Sequence, residues 1–177
     1  MNTDFQKQLA QPIKTFRLPR YNEIPTMGLY LEQVTKYIAD IFQPLQVVNI
    51  TSSMISNYVK QNIVESPIKK QYSRDLIAHL IYVAVIKNVI SLEDVKVMFD
   101  VKEGIYTNEI AYNYFCNEFE NVLQYVYGLK SQLEKVGELE ITNEKLMLRN
   151  TIVTVAHKIY LDNCFLTIKT WKQQNNK

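Results

Sequence analysis

A chain of 177 residues with 47% hydrophobic and 21% charged residues has a globular composition, which excludes intrinsic disorder. Four glycines and five prolines exclude a turn-rich sandwich and leave room for long helices. The formal net charge of +2 excludes a histone-like or polybasic protein, so any nucleic-acid surface must come from local clustering of cations.

The length suits one ordinary domain or two small ones. Residues 1–14 lack the apolar core of a signal peptide. The longest apolar block, Leu80 to Ile86, falls far short of the roughly 20 residues of a membrane span. The expected location is cytoplasmic, with no membrane partner. Cys116 and Cys164 form no metal-binding or redox spacing. They read as buried free thiols in a reducing compartment, with a disulfide as the alternative.

Residues 1–16 are polar and Gln-rich without clear periodicity, and the expectation is a loose, flexible arm. Pro19 and Pro25 then imply extended or turn backbone. From Gly28, the apolar residues Leu29, Tyr30, Val34, Tyr37, Ile38, Ile41 and Phe42 recur at three- and four-residue steps, which predicts a helix over 29–43 ended by Pro44. Thr51-Ser52-Ser53 is an N-cap cluster for a short helix over 51–61, with Met54, Ile55, Tyr58 and Val59 on its buried side.

Residues 61–72 hold β-branched side chains, Pro67 and the pair Lys69-Lys70, and predict a short irregular β-hairpin. Ser73 caps a helix with Leu76, Ile77, Leu80, Ile81, Ala84 and Val85 inward. Ser91 and Asp94 stand at capping-box spacing before a last short helix with Val95, Met98 and Phe99 inward. Gly104 marks a break. Two long helical patterns follow, about 107–135 and 142–172, with Gly137 in the connection. Each would be roughly 40 Å long, and the short link predicts an antiparallel hairpin.

The helices at 29–43 and 51–61 with the turn between them form a helix-turn-helix candidate. The second helix turns Ser52, Ser53, Ser56, Asn57 and Lys60 outward. Hydroxyls at a helix N-terminus suit phosphate, and an Asn amide suits an adenine edge in the major groove. Lys69, Lys70 and Arg74 add cations that could meet flanking phosphates. A solvated helix face and a solvated charged turn are the plainer alternatives for each feature taken alone.

The blocks 51–60, Lys69-Lys70-Gln71-Tyr72-Ser73-Arg74 and Ser91-Leu92-Glu93-Asp94-Val95 resemble the DNA-binding domain of the mercury-resistance-regulator (MerR) family. More closely, the stretch Leu18 to Phe99 resembles an uncharacterised bacterial family built on a domain of unknown function. The resemblance implies a winged helix-turn-helix with a β-hairpin wing, and a role for Tyr72 before the next helix. It also implies a homodimer paired through helices that follow the winged domain, and an effector bound by further segments. Two departures stand out: an arm with prolines precedes the first motif helix, and the loop between the motif helices is long.

In the C-terminal half, Tyr112, Tyr114, Phe115, Phe119, Tyr125 and Tyr127 could line a pocket for an unknown effector or simply form core and interface. Enzyme signatures are missing. His79 and His157 have no ligand-spaced neighbours, and no phosphate loop, nucleophile elbow or paired acid–base carboxylates occur. No catalytic residue, metal or cofactor is expected.

The organisation expected is mainly α, with a flexible arm (1–16), a winged helix-turn-helix domain (17–102) and a C-terminal helical dimerisation or effector region (103–177). The function expected is that of a homodimeric transcriptional regulator, not an enzyme, that binds duplex DNA sequence-specifically. The alternative is a protein-interaction module on the same winged fold without DNA binding.

Overall fold

In the computed structural model, the residues described are 3–102, 104–136 and 142–175. Gly137, placed by the sequence in the interhelical connection, lies outside them. The first surprise is at the N-terminus. Residues Thr3–Ala10 form a helix, α1, followed by a 3₁₀ turn at Pro12–Lys14. Phe5, Leu9, Ala10, Ile13 and Phe16 are all buried. The loose-arm reading is therefore corrected: apolar residues spaced by three and four put one stripe into the core, and the polar residues between them face water. Phe5 meets Trp171 edge-on at 5.2 Å, and Phe16 meets Phe119 edge-on at 6.1 Å.

The chain then runs extended to a two-residue strand, β1 (Leu29–Tyr30), and helix α2 (Leu31–Phe42). Val34, Ile38 and Phe42 form the buried stripe of α2. A connection over residues 43–51 leads to α3 (Ser52–Lys60), whose N-cap is Thr51; its side chain accepts from the Met54 N–H at 3.2 Å. Helix α4 (Arg74–Ile86) is capped by Ser73 and is buried nearly all round, as expected of a central helix. Helix α5 (Leu92–Lys102) starts at Ser91, whose hydroxyl accepts from the Asp94 N–H at 3.0 Å and donates to its carboxylate at 2.6 Å.

Strand β2 (Gln71–Tyr72) pairs antiparallel with β1, in the register Leu29 to Tyr72 and Tyr30 to Gln71. The predicted hairpin over 61–72 is thus not self-contained, because the strand partner comes from before α2. Residues 61–67 cannot supply it: Ile63 and Val64 are drawn into the core, and Pro67 has no N–H to donate. What remains locally is a tight turn, 68–71, closed by the Gln71 N–H donating to the Ile68 carbonyl at 2.9 Å.

The last two helices are α6 (Asn108–Val126) and α7 (Asn143–Asn175). Helix α6 ends well before residue 135. Gly128 takes a φ of +70°, the Gly128 N–H donates to the Tyr125 carbonyl, and the Leu129 N–H donates to that of Gln124. These two bonds are the glycine-terminated helix stop of the Schellman type. The antiparallel hairpin is corrected as well. Glu118 pairs with Arg149, and further along α6 Tyr127 meets both Tyr160 and Asn163, so partners advance in the same direction on both helices. Glu134, after α6, bridges the two helices: its carbonyl accepts from Asn121 Nδ2 and Arg149 Nη2.

One hydrophobic cluster runs from Phe5 to Cys164, through α1, α2, α3, α4, α5, α6 and α7. The expected boundary at 102/103 does not divide this core. Both cysteines are buried and free. Among the described residues, no helix is long and apolar enough to cross a membrane.

Candidate nucleic-acid interface

Helix α3 is held against α2 by a small polar knot. The Ser52 hydroxyl donates to Glu32 Oε1 at 3.0 Å and lies 3.1 Å from the Thr35 hydroxyl. Ser52, expected as a DNA contact, is thereby turned toward α2 and half-buried. Ile55 and Tyr58 anchor the underside of α3, and burial pushes the Tyr58 phenol up to about 12. That leaves Ser53, Ser56, Asn57 and Lys60 exposed on its outer face. Asn57 Oδ1 accepts from Gln61 Nε2 at 3.1 Å, which orients the amide along the last turn.

The basic turn is the second element. Lys69 and Lys70 have φ values of +50° and +65°, the two-residue geometry that Asn-Gly adopts most cheaply. Both side chains are exposed. Among the described residues neither ammonium makes an ion pair, and the same is true of Lys60.

Two other expected contacts are engaged within the fold. Tyr72 is buried at 4% exposure, and burial raises its phenol above the usual range. Arg74 points back into the fold. Its Nε donates to the Ile24 carbonyl at 3.0 Å and its Nη2 to that of Asn22 at 3.4 Å, while the guanidinium lies 5.3 Å from the Tyr21 ring centre. Tyr21 in turn donates to Asp75 at 2.6 Å; burial first, and that hydrogen bond second, push its phenol up to about 12. The nine expected contacts therefore divide: Ser52, Tyr72 and Arg74 hold elements together, whereas Ser53, Ser56, Asn57, Lys60, Lys69 and Lys70 face solvent.

Two residues at this surface escaped the sequence reading. Tyr30, expected inside a helix, is half-exposed in β1 directly opposite Gln71, beside the basic turn. Ile68 stands at the turn itself and is 79% exposed. Only a period-2 pattern could have flagged Tyr30, and a two-residue strand is too short to show one.

The expected aromatic pocket stripe separates too. Phe119 is deep in the core, Tyr127 packs edge-on against Tyr160, and Tyr125 is exposed. Tyr112, Tyr114 and Phe115 line a cavity at the start of α6.

Fold and surface together define a mainly helical protein that presents one short capped helix and one basic turn to solvent. The chain belongs to the family described as a domain of unknown function, DUF1836, whose match spans residues 19–119, more than half of its length. That match, like the core, crosses the expected boundary at 102/103 and ends within α6. No curated protein and no solved structure matches the chain.

Proposed function

We propose that this chain is a sequence-specific duplex-DNA-binding regulator that acts as a homodimer, with α3 as the reading helix of a MerR-like winged helix-turn-helix and the 68–71 turn as a reduced wing. The observation that carries this reading is the pair Lys69-Lys70 at positive φ. Left-handed backbone costs a lysine roughly 1 kcal/mol relative to glycine or asparagine, so two consecutive lysines there are held against the local preference. Two exposed cations on a tight turn suit phosphate clamping, and the outward Ser53, Ser56, Asn57 and Lys60 suit a groove. Exposed Leu161 and Phe165, one helical turn apart on α7, support pairing of two copies.

A second reading, a protein-interaction module, draws on the exposed apolar side chains of Met27, Tyr30 and Ile68 in and next to the small sheet. Selection from a random duplex pool at about 150 mM salt, where screening acts over roughly 8 Å, separates the two. An enriched palindromic site, lost in the Asn57→Ala/Lys60→Ala variant while its unfolding midpoint stays put, is the result expected. Retention of no duplex at all, with one protein partner co-purifying, would transfer the surface to the second reading.

A further inference from the structure

We propose that the half-open cavity lined by α4, α5 and the first turns of α6 and α7 is a binding site for an uncharged, largely apolar small molecule carrying an aromatic ring. The cavity measures about 460 Å³, inside the roughly 300–1,000 Å³ span typical of small-molecule sites. It exists because two alanines, Ala78 on α4 and Ala111 on α6, face it where larger residues would close the space.

The walls define the guest. Phe99 lies 4.7 Å from His79 and 5.4 Å from Tyr82, and Tyr82 meets Phe115 edge-on at 4.9 Å. Rings that fix one another in this way offer a preformed aromatic wall, which favours a further ring by stacked or edge-on contact. Met98 and Met147 contribute flexible, polarisable side chains that adapt to the guest's outline. The Tyr82 hydroxyl donates to the Met98 sulfur at 3.4 Å, and a partner this weak leaves the phenol able to meet one polar group of an otherwise apolar guest.

Charge weighs against an ionic guest. Glu144 and Lys145 are neighbours of opposite sign at the α7 side of the cavity, so the lining there carries no net charge. An ion entering would lose hydration without a matched set of partners.

This assignment does not depend on DNA binding, and either can fail without the other. The test is fluorescence titration of the full-length chain with the neutral probe N-phenyl-1-naphthylamine. The Ala111→Phe variant, which fills the cavity from α6, is expected to weaken binding at least about tenfold. If that variant unfolds, Met147→Trp fills the space from α7 and is expected to do the same. The variant Leu166→Ser, which removes an exposed apolar residue elsewhere on α7, is expected to bind as the parent does. The anionic analogue 8-anilinonaphthalene-1-sulfonate is expected to bind more weakly than the neutral probe. No uptake of the neutral probe by the parent chain would overturn the proposal. So would uptake lost in the α7 surface variant but kept when the cavity is filled, or tighter binding of the anion.

Discussion

Arg20 and Glu120 meet in a two-pronged ion pair, Nη1 to Oε1 at 2.6 Å and Nη2 to Oε2 at 2.7 Å, across a hundred residues of sequence. The same Oε1 accepts from the Leu18 N–H at 2.8 Å, and nearby Asn113 Oδ1 accepts from the Tyr21 N–H at 2.9 Å. This strap fastens the extended N-terminal segment along α6. Both side chains are largely shielded, at 25% and 14% exposure, so the pair escapes most of the screening that weakens surface ion pairs. Glu120→Gln would turn an amide N–H₂ toward the guanidinium and remove the charge assistance. A loss of about 1–3 kcal/mol in urea unfolding is expected, nearly independent of salt. A loss below about 0.5 kcal/mol would show that the strap is incidental.

Glu118 is a different case, because its carboxylate is fully buried beneath Arg149, whose Nε approaches Oε1 at 3.2 Å. Burial raises the carboxyl above its ordinary range, and Arg149 pulls it partly back. A raised carboxyl holds its proton more tightly in the native than in the unfolded state. Stability therefore falls as pH climbs from the ordinary carboxylate range through the raised value, and the full cost is present above it. Glu118→Gln should flatten that part of the stability–pH curve and leave the protein as stable or more stable at pH 7. Arg149→Met should steepen it and cost roughly 3 kcal/mol at pH 7, the lower end for breaking a buried pair because Arg149 is partly solvated. Identical curves for parent and both variants would contradict this account.

The N-terminal helix yields a third test. Phe5 is 1% exposed and wedged against Trp171 near the far end of α7. Phe5→Ala should destabilise by about 3–5 kcal/mol, comparable to the whole stability of a marginal domain. Hydrogen exchange should then show faster opening at the C-terminal end of α7 as well as in α1. Loss of protection in α1 alone would mean that the two ends are not coupled.

Local signals were the ones legible in the sequence. The caps at Thr51, Ser73 and Ser91 were readable because each cap bond closes within three residues. The stop at Gly128 was equally local, but Leu129 and Leu133 continue the apolar rhythm beyond it, and periodicity misplaced the end of the helix. Features whose partners are remote stayed hidden. The apolar stripe of α1 and the turn after it looks like scattered hydrophobes in a polar tract until Trp171 is placed against Phe5 and Phe119 against Phe16. The parallel run of α6 and α7 goes with remote contacts, such as Glu134 accepting from both Asn121 and Arg149, that a sequence does not show. Among the expected DNA contacts, residue type alone could not separate Lys69, which is exposed, from Arg74, which is half-buried and hydrogen-bonded to the carbonyls of Ile24 and Asn22.

The turn at 68–71 permits a test in which stability and function move in opposite directions. Lys69→Asn/Lys70→Gly places at both central positions the residues that left-handed backbone prefers. Relief of strain there should raise stability by about 1 kcal/mol, read as a higher urea midpoint at unchanged slope. The same change removes two exposed cations. If they clamp phosphates, duplex affinity should drop and the dependence of log affinity on log salt should flatten by up to about 1.8, or 0.9 for each lost contact. An alanine pair could not separate these effects, since alanine keeps the backbone strain while deleting the charge. A variant that is more stable yet binds the selected duplex with the parent's affinity and salt slope would remove the turn from the interface. Recognition would then rest on the outer face of α3 alone.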